Sequence, residues 1–233
     1  MKKITPLFIA VASFLFMTSC SSNDNDTNII QESQENQLQT YTLKRDSQGR
    51  YSIDFNVSEN TAVESYKNAD LSNEIILSKT NQKSKPNYTN NFKLENNLLK
   101  VGFLEENNGK QTSIAIEDEN ITFAKGVTEF LNNYSVTKNK DNTFALNFEV
   151  NKGVVAEFVY NESIETYEIH LSKGNSKKTN FERVLKNVGD NILKIDFVNH
   201  KNSYRIKGEA GYDRKPKVVI HDNITSSPSA YSF

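Results

Sequence analysis

Residues 51–57 have the sequence Tyr-Ser-Ile-Asp-Phe-Asn-Val, with a large apolar side chain at every second position. Residues 143–150, Thr-Phe-Ala-Leu-Asn-Phe-Glu-Val, show the same alternation. Successive side chains of a β-strand point to opposite faces, so each stretch can bury one face and leave the other in water. Both stretches therefore predict β-strands that pack against an apolar core.

The rest of the chain extends this pattern. Turn-forming runs such as Asp46-Ser47-Gln48-Gly49 separate the alternating stretches, which favours hairpins and antiparallel pairing. The sequence therefore predicts an all-β, antiparallel fold, with two short helix candidates at 126–133 and 179–187. Further strands are predicted near 41–45, 62–66, 74–78, 98–104, 112–117, 120–124, 134–138, 154–160, 166–171, 192–198, 203–207 and 217–221.

Several apolar positions recur at a constant distance along the chain. Tyr41, Phe55 and Val57 recur 93 residues later as Tyr134, Phe148 and Val150, and from Glu74 onward the offset is 94, with Glu168 as its counterpart. This period is close to the size of a small β-sandwich. We expect two tandem, related β-sandwich-like repeats of about 93 residues, at 39–133 and 134–233. The alternative is one pseudo-symmetric sheet or barrel to which each half contributes.

Residues 1–19 have the features of a secretory signal peptide. Lys2 and Lys3 precede an apolar run at 4–17, which is too short to span a membrane as a helix. The run ends in Met17-Thr18-Ser19-Cys20, which resembles the lipobox of bacterial lipoproteins that signal peptidase II cleaves; Met17 stands where Leu is usual. The resemblance implies cleavage before Cys20, a diacylglycerol on its sulfur, and a fatty acyl chain such as palmitate on its new amine.

Residues 20–38 are predicted to form the lipid-bearing Cys and a flexible polar tether. About 18 such residues span roughly 20–25 Å. The first of them, Ser21-Ser22-Asn23-Asp24-Asn25-Asp26, resemble the surface-export signal of Bacteroidota lipoproteins. The resemblance implies an outer-membrane protein, anchored through lipid on Cys20 and exposed at the cell surface; the periplasmic face is the alternative orientation.

Composition argues against several kinds of site. Without Lys2 and Lys3, 26 basic residues face 29 acidic ones, so no nucleic-acid partner is expected. Cys20 is the only cysteine, which leaves no internal disulfide and no cysteine-based zinc site or nucleophile. The three histidines, His170, His200 and His221, lack the short spacing of metal ligands and are predicted to be surface or hydrogen-bonded residues.

No nucleophile elbow or phosphate-binding glycine loop occurs in the sequence, so we expect no catalytic residue, cofactor or metal. The acidic runs at 105–106 and 117–119 are predicted to be solvated turns rather than calcium ligands. Tyrosines, among them Tyr66, can stack on sugar rings or fill a partner's pocket. Tyr88 and Tyr212 lie in predicted loops and are the preferred candidates for ligand contact.

These expectations favour a non-enzymatic binding or adhesion module with a protein or glycan partner. A structural, assembly or protective component of an outer-membrane complex is the second hypothesis. A hydrolase and a carrier of an apolar ligand are further alternatives.

Overall fold

The computed structural model describes residues 35–118, 130–187, 191–200 and 212–224, which form fourteen β-strands. These ranges contain no helix, and hence none that could span a membrane. The predicted all-β class is confirmed. The strands are β1 (Leu38–Arg45), β2 (Tyr51–Val57), β3 (Thr61–Lys67), β4 (Asn73–Lys79), β5 (Asn87–Phe92), β6 (Leu98–Glu105), β7 (Lys110–Glu117), β8 (Leu131–Lys138), β9 (Thr143–Val150), β10 (Val154–Asn161), β11 (Thr166–Lys173), β12 (Asn180–Lys186), β13 (Ile192–His200) and β14 (Tyr212–Ile224).

The strands divide between two sheets. Sheet A has the order β12-β9-β8-β1-β2-β5, and sheet B has the order β10-β11-β13-β14-β7-β6-β4-β3. Pairing is antiparallel except between β4 and β6 and between β11 and β13. The alternative of a single sheet or closed barrel is therefore wrong, because the described strands form two open sheets.

Both halves of the chain contribute to each sheet. From the centre of sheet A outward, β1, β2 and β5 lie on one side and β8, β9 and β12 on the other. In sheet B the corresponding series are β7, β6, β4, β3 and β14, β13, β11, β10. The order agrees with the tandem duplication, which stays a prediction, and the expected boundary at 133–134 falls inside β8.

The core lies between the two sheets, where alternate side chains of their strands meet. In β2 and β9 every second residue is buried, as the alternation predicts. Phe55 of sheet A meets Phe103 of sheet B edge to face with ring centroids 5.2 Å apart, and Phe148 meets Phe197 in the same way at 5.7 Å. The two halves therefore share a pattern of aromatic contacts across the core.

The edge strands of sheet A correct two predictions. Tyr88 lies in β5, not in a loop, and its ring stacks on Phe55 at 5.3 Å. Residues 180–186 form β12 instead of a helix, with Phe181 stacked on Phe148 at 5.0 Å. The other helix candidate is also wrong, since its last three residues belong to β8; residues 126–129 lie outside the described ranges. Predicted strands at 120–124 and 203–207 lie outside them as well.

Two turns use a left-handed backbone conformation at matching places. Gly49 has a φ of 76° between β1 and β2, and Asn142 has a φ of 63° between β8 and β9. Glycine and asparagine are the residues that enter this region most easily, so they can replace one another there.

Candidate ligand-binding site

A row of paired residues crosses the outer face of sheet B in the first half. Tyr66 of β3 lies opposite Glu74 of β4, Glu74 lies beside Gly102 of β6, and Gly102 lies opposite Ser113 of β7. Residues paired in register have side chains on the same face of a sheet. Phe103, next to Gly102 in the strand, is buried in the core, so the row faces outward.

A depression of about 450 Å³ lies over Gly102, and we call it the Gly102 depression. A Cβ atom at position 102 would meet only the Asn73 carbonyl oxygen, at 4.0 Å, so the space above the backbone is open. The depression thus exists because this strand position has no side chain. Its polar lining includes Asp70, Asn73, Glu74, Lys100 and Ser113.

Two exposed apolar side chains stand near the depression. Tyr66 is 47% exposed, and its hydroxyl donates a hydrogen bond to the Glu64 carboxylate, which raises the pKa of Tyr66. Leu71, also exposed, has a φ of 68°, which is uncommon for a bulky residue. Strained backbone of this kind is concentrated at functional sites in proteins. A hydrogen bond from Leu71 N to the Asn68 carbonyl, 3.0 Å long, holds this turn.

The charges of the depression are held in place by short local contacts. Asp70 accepts hydrogen bonds from the hydroxyl and backbone N–H of Ser72, at 2.6 and 3.1 Å, and these bonds lower the pKa of Asp70. The Asn73 side-chain amide donates to the Lys100 carbonyl at 3.1 Å. The site therefore presents carboxylate, amide, hydroxyl and ammonium groups from the sheet face and from the adjoining β3–β4 turn.

The corresponding row of the second half carries a side chain at the position of Gly102. Val159 lies opposite Glu168, Glu168 lies beside Asp196, and Asp196 lies opposite Lys217. Asp196 takes the register position that Gly102 has in the first half, and it is only 4% exposed.

Next to this second row, a network of side-chain hydrogen bonds, which we call the histidine network, links two histidines. The Glu168 carboxylate lies 2.8 Å from His170 Nε2, and His170 Nδ1 lies 2.8 Å from His200 Nε2. Asn161 donates to the other oxygen of Glu168 at 2.8 Å. This network joins a carboxylate to two imidazole rings through hydrogen bonds. Sequence spacing could not reveal it, because the parallel pairing of β11 with β13 brings together residues 30 positions apart.

His221 lies apart from that pair, opposite Ser113 in the first row. Burial lowers the pKa of His221, and the nearby Lys194 lowers it further. Among the residues that the structure describes, no group of three or more His, Cys, Asp or Glu side chains is arranged to hold a metal ion.

Two buried ion pairs connect the sheets at equivalent places. Arg45 Nε of β1 lies 3.2 Å from Asp118 Oδ2, which also accepts a 2.8 Å hydrogen bond from the Tyr51 hydroxyl. Lys138 of β8 pairs with Asp222 of β14, to which the Thr112 hydroxyl donates at 3.3 Å.

The backbone N–H groups of these two aspartates bond to the Asn97 and Asn191 carbonyls, both at 2.9 Å. Asp118 directly follows β7 and Asp222 lies in β14, and their matching backbone bonds show that the two aspartates occupy equivalent positions. Burial lowers the pKa of Lys138 to about 8.

The acidic runs are a further correction to the sequence analysis. Asp118 is 1% exposed, and Glu105 is also buried, where it accepts a hydrogen bond from Gln37 N at 2.5 Å. These two residues were predicted to lie in solvated turns, and that prediction is wrong. Each has a buried partner from a strand or segment far away in the chain, which local sequence does not indicate.

A larger cavity of about 870 Å³ lies at the end of the sandwich beside Arg45. Its lining includes Lys44 and Arg50, but Lys44 pairs with Asp54, and Arg50 Nε lies 2.7 Å from Asp46. These two cations are paired within the protein, and the lining also includes Lys93.

The structure distributes the predicted site residues widely. Cys20 lies outside the described residues. Tyr88 packs on the core at the edge of sheet A, and Tyr212 begins β14, paired with His200, so the predicted loop position is wrong for both. Tyr66 was a weaker candidate by sequence, although its place beside Glu64 in an alternating strand indicates an outward side chain.

No protein-family model matches the chain, no curated protein matches its sequence, and no solved structure matches its fold. The geometry of the site is therefore the basis for assigning a function.

Proposed function

We propose that this protein is a lipid-anchored binding protein of the outer membrane, displayed at the cell surface, that holds its ligand in the Gly102 depression. The observation that carries the proposal is an open volume of about 450 Å³ over a strand residue without a side chain. Volumes of this size are typical of small-ligand sites.

The arrangement of the depression suits recognition. Asn73, Glu74, Lys100 and Ser113 all belong to strands, so their backbone positions are fixed before any ligand arrives. A preformed site loses little conformational entropy on binding. In the second half the corresponding register position carries the buried side chain of Asp196 instead of a glycine.

The anchor rests on the resemblance of residues 17–20 to a lipobox. The folded body begins within the last residues of the predicted tether, because Gln37 is buried and Leu38 is the first residue of β1. Several acyl chains at one residue anchor a protein stably, whereas one chain binds a membrane only marginally. The proposed acylation of Cys20 would hold the sandwich at a membrane surface.

The anchor is tested by acyl labelling and protease shaving of the source cells. We expect fatty-acid label on the wild-type chain, none on Cys20→Ala, and digestion of the wild-type body on intact cells. An unlabelled wild-type chain would contradict the anchor. A labelled chain that resists protease until the outer membrane is opened would place it on the periplasmic face instead.

The binding site is tested by thermal shift of the full-length protein in detergent. The probes are neutral polysaccharides, acidic polysaccharides and a mixed peptide library, because a ligand that binds the native state raises Tm. We expect one class to raise the Tm of the wild type but not of Gly102→Asp, which fills the depression with the residue that the second half carries.

The matched control is Val184→Asp, the same acidic residue at an exposed position of β12 in sheet A. It should respond to the active probe as the wild type does. If no probe raises the wild-type Tm, or if Gly102→Asp responds in full, the proposed site is wrong.

A further inference from the structure

We infer that the ligand of the Gly102 depression is a neutral carbohydrate, with a sugar ring stacked on Tyr66. The inference rests on the proposed function and specifies its ligand class. It follows from three features of the described residues: an exposed aromatic face, hydrogen-bonding groups of mixed character, and an excess of negative charge.

The aromatic face belongs to Tyr66. This side chain lies directly opposite Glu74 in the β3–β4 pair, at the edge of sheet B, and is 47% exposed. Its hydrogen bond to the Glu64 carboxylate fixes the hydroxyl end of the ring. A ring tethered at one end loses little further freedom on binding, and tyrosine brings apolar area together with a polar tip. The C–H face of a pyranose ring is the kind of flat apolar surface that such a ring accepts.

The hydrogen-bonding groups of the depression suit sugar hydroxyls. An ionised carboxylate such as that of Glu74 only accepts, an ammonium such as that of Lys100 only donates, and the Ser113 hydroxyl does both. A sugar hydroxyl both donates and accepts, so neighbouring hydroxyls can satisfy all three types. An apolar ligand would desolvate these groups without replacing their hydrogen bonds to water, which disfavours its binding.

The charge of the region selects against acidic ligands. Glu64, Asp70 and Glu74 outnumber Lys100, and hydrogen bonds from Ser72 lower the pKa of Asp70 below its ordinary, already acidic value. Like charges brought together at a binding site disfavour the wrong partner strongly. Uronic-acid polymers, phosphorylated ligands and nucleic acids are therefore poor candidates, whereas a neutral sugar has no charge to be repelled.

The test is affinity electrophoresis of the full-length protein in native detergent gels. The gels contain a neutral glucan, mannan or xylan, or the acidic polymer polygalacturonate. We expect at least one neutral polymer to slow the wild type, with polygalacturonate having no effect. Tyr66→Ala should weaken that binding at least tenfold, whereas Tyr66→Phe, which keeps the ring, should stay within about threefold of the wild type.

The matched control is Tyr160→Ala, which removes the exposed tyrosine near the opposite edge of sheet B. It should migrate like the wild type in every gel. Wild-type binding by Tyr66→Ala would overturn the role of Tyr66. If acidic polymer or peptide were the only class whose binding depends on Gly102, the carbohydrate inference would fail while the proposed site stood. If no binding depends on Gly102, both fail.

Discussion

On the outer face of sheet B, the first half carries Gly102 between Glu74 and Ser113, whereas the second half carries Asp196 between Glu168 and Lys217. The neighbouring glutamates occupy the same register position in the two rows. A depression lies over the glycine of the first row, and the second row has a buried carboxylate at the same register position.

The inner face of the same strands shows no such divergence. Phe103 and Phe197 make matching aromatic contacts, and Arg45–Asp118 and Lys138–Asp222 are matching buried ion pairs. The comparison teaches that the two faces of a strand can change independently, because side chains alternate between them. Packing constrains the inner face, and the outer face can differ without altering strand order.

Removing one core aromatic from each half gives the largest expected effect. We expect Phe103→Ala and Phe197→Ala each to lower the free energy of unfolding by about 3–5 kcal/mol, since both rings are fully buried. Urea denaturation, monitored by tyrosine fluorescence, measures the two losses in unfolding free energy. If the two losses differed by more than about 2 kcal/mol, the halves would not share an equivalent core.

The buried ion pairs offer a sharper comparison. Arg45→Met leaves the Asp118 carboxylate buried beside the Tyr51 hydroxyl, and breaking a buried pair in this way costs about 3–5 kcal/mol. Lys138→Met should lower the free energy of unfolding by a smaller amount. The lowered pKa of Lys138 means that the fold stabilises the charged form of this lysine less well than water does. Urea unfolding at pH 7 checks the order, and a larger loss in Lys138→Met would reverse this interpretation.

The histidine network of the second half is another difference between the outer faces of the two halves. His170→Ile installs the residue found at the corresponding position, Ile76, and removes the link between Glu168 and His200. A buried hydrogen-bonding group left without its partner costs about 1–3 kcal/mol, so the variant should be destabilised by this amount. Thermal unfolding is the measurement, with Ile76→His as the reciprocal control. Equal, small effects of both changes on Tm would show that the histidine network contributes nothing to stability.

The Lys138–Asp222 ion pair should also make the free energy of unfolding depend on pH. The pKa of Lys138 falls from 10.5 in the unfolded chain to about 8 in the fold, so between these values the unfolded state binds more protons. Stability from this group therefore rises as pH increases from 8 towards 10.5 and is lost as pH falls through 8. Between pH 7 and 9.5 the gain is on the order of 1–2 kcal/mol.

Lys138→Arg is the control, because arginine stays charged throughout this range. The difference between the wild-type and Lys138→Arg unfolding free energies isolates the lysine from all other groups. A difference that stayed constant between pH 7 and 9.5 would contradict the lowered pKa. Measurements should stop below pH 10, because burial raises the pKa values of Tyr41 and Tyr134, and ionisation of these tyrosines in the unfolded chain then reduces stability.

Much of the fold could be predicted from the sequence, but the candidate site could not. The alternation in β2 and β9 indicates their burial pattern correctly. The edge strand β5, Asn-Tyr-Thr-Asn-Asn-Phe, carries no such pattern, because an edge strand with three asparagines owes its conformation to the neighbour it pairs with. Tyr88 was therefore predicted to lie in a loop and was preferred as a contact residue over Tyr66, which stands beside the depression.

The sequence by itself determined which face of β2 and of β9 packs on the core, because the period-2 alternation of a strand is a local property of consecutive residues. It also contains the offsets of 93 and 94 residues that suggest a duplicated unit. Only the tertiary structure decided that Glu74 lies beside Gly102, that His170 meets His200, and that Asp118 and Asp222 occupy equivalent positions. These relations depend on which distant strands become neighbours. Neighbour choice is decided by the packing of two whole sheets, which no short stretch of residues specifies.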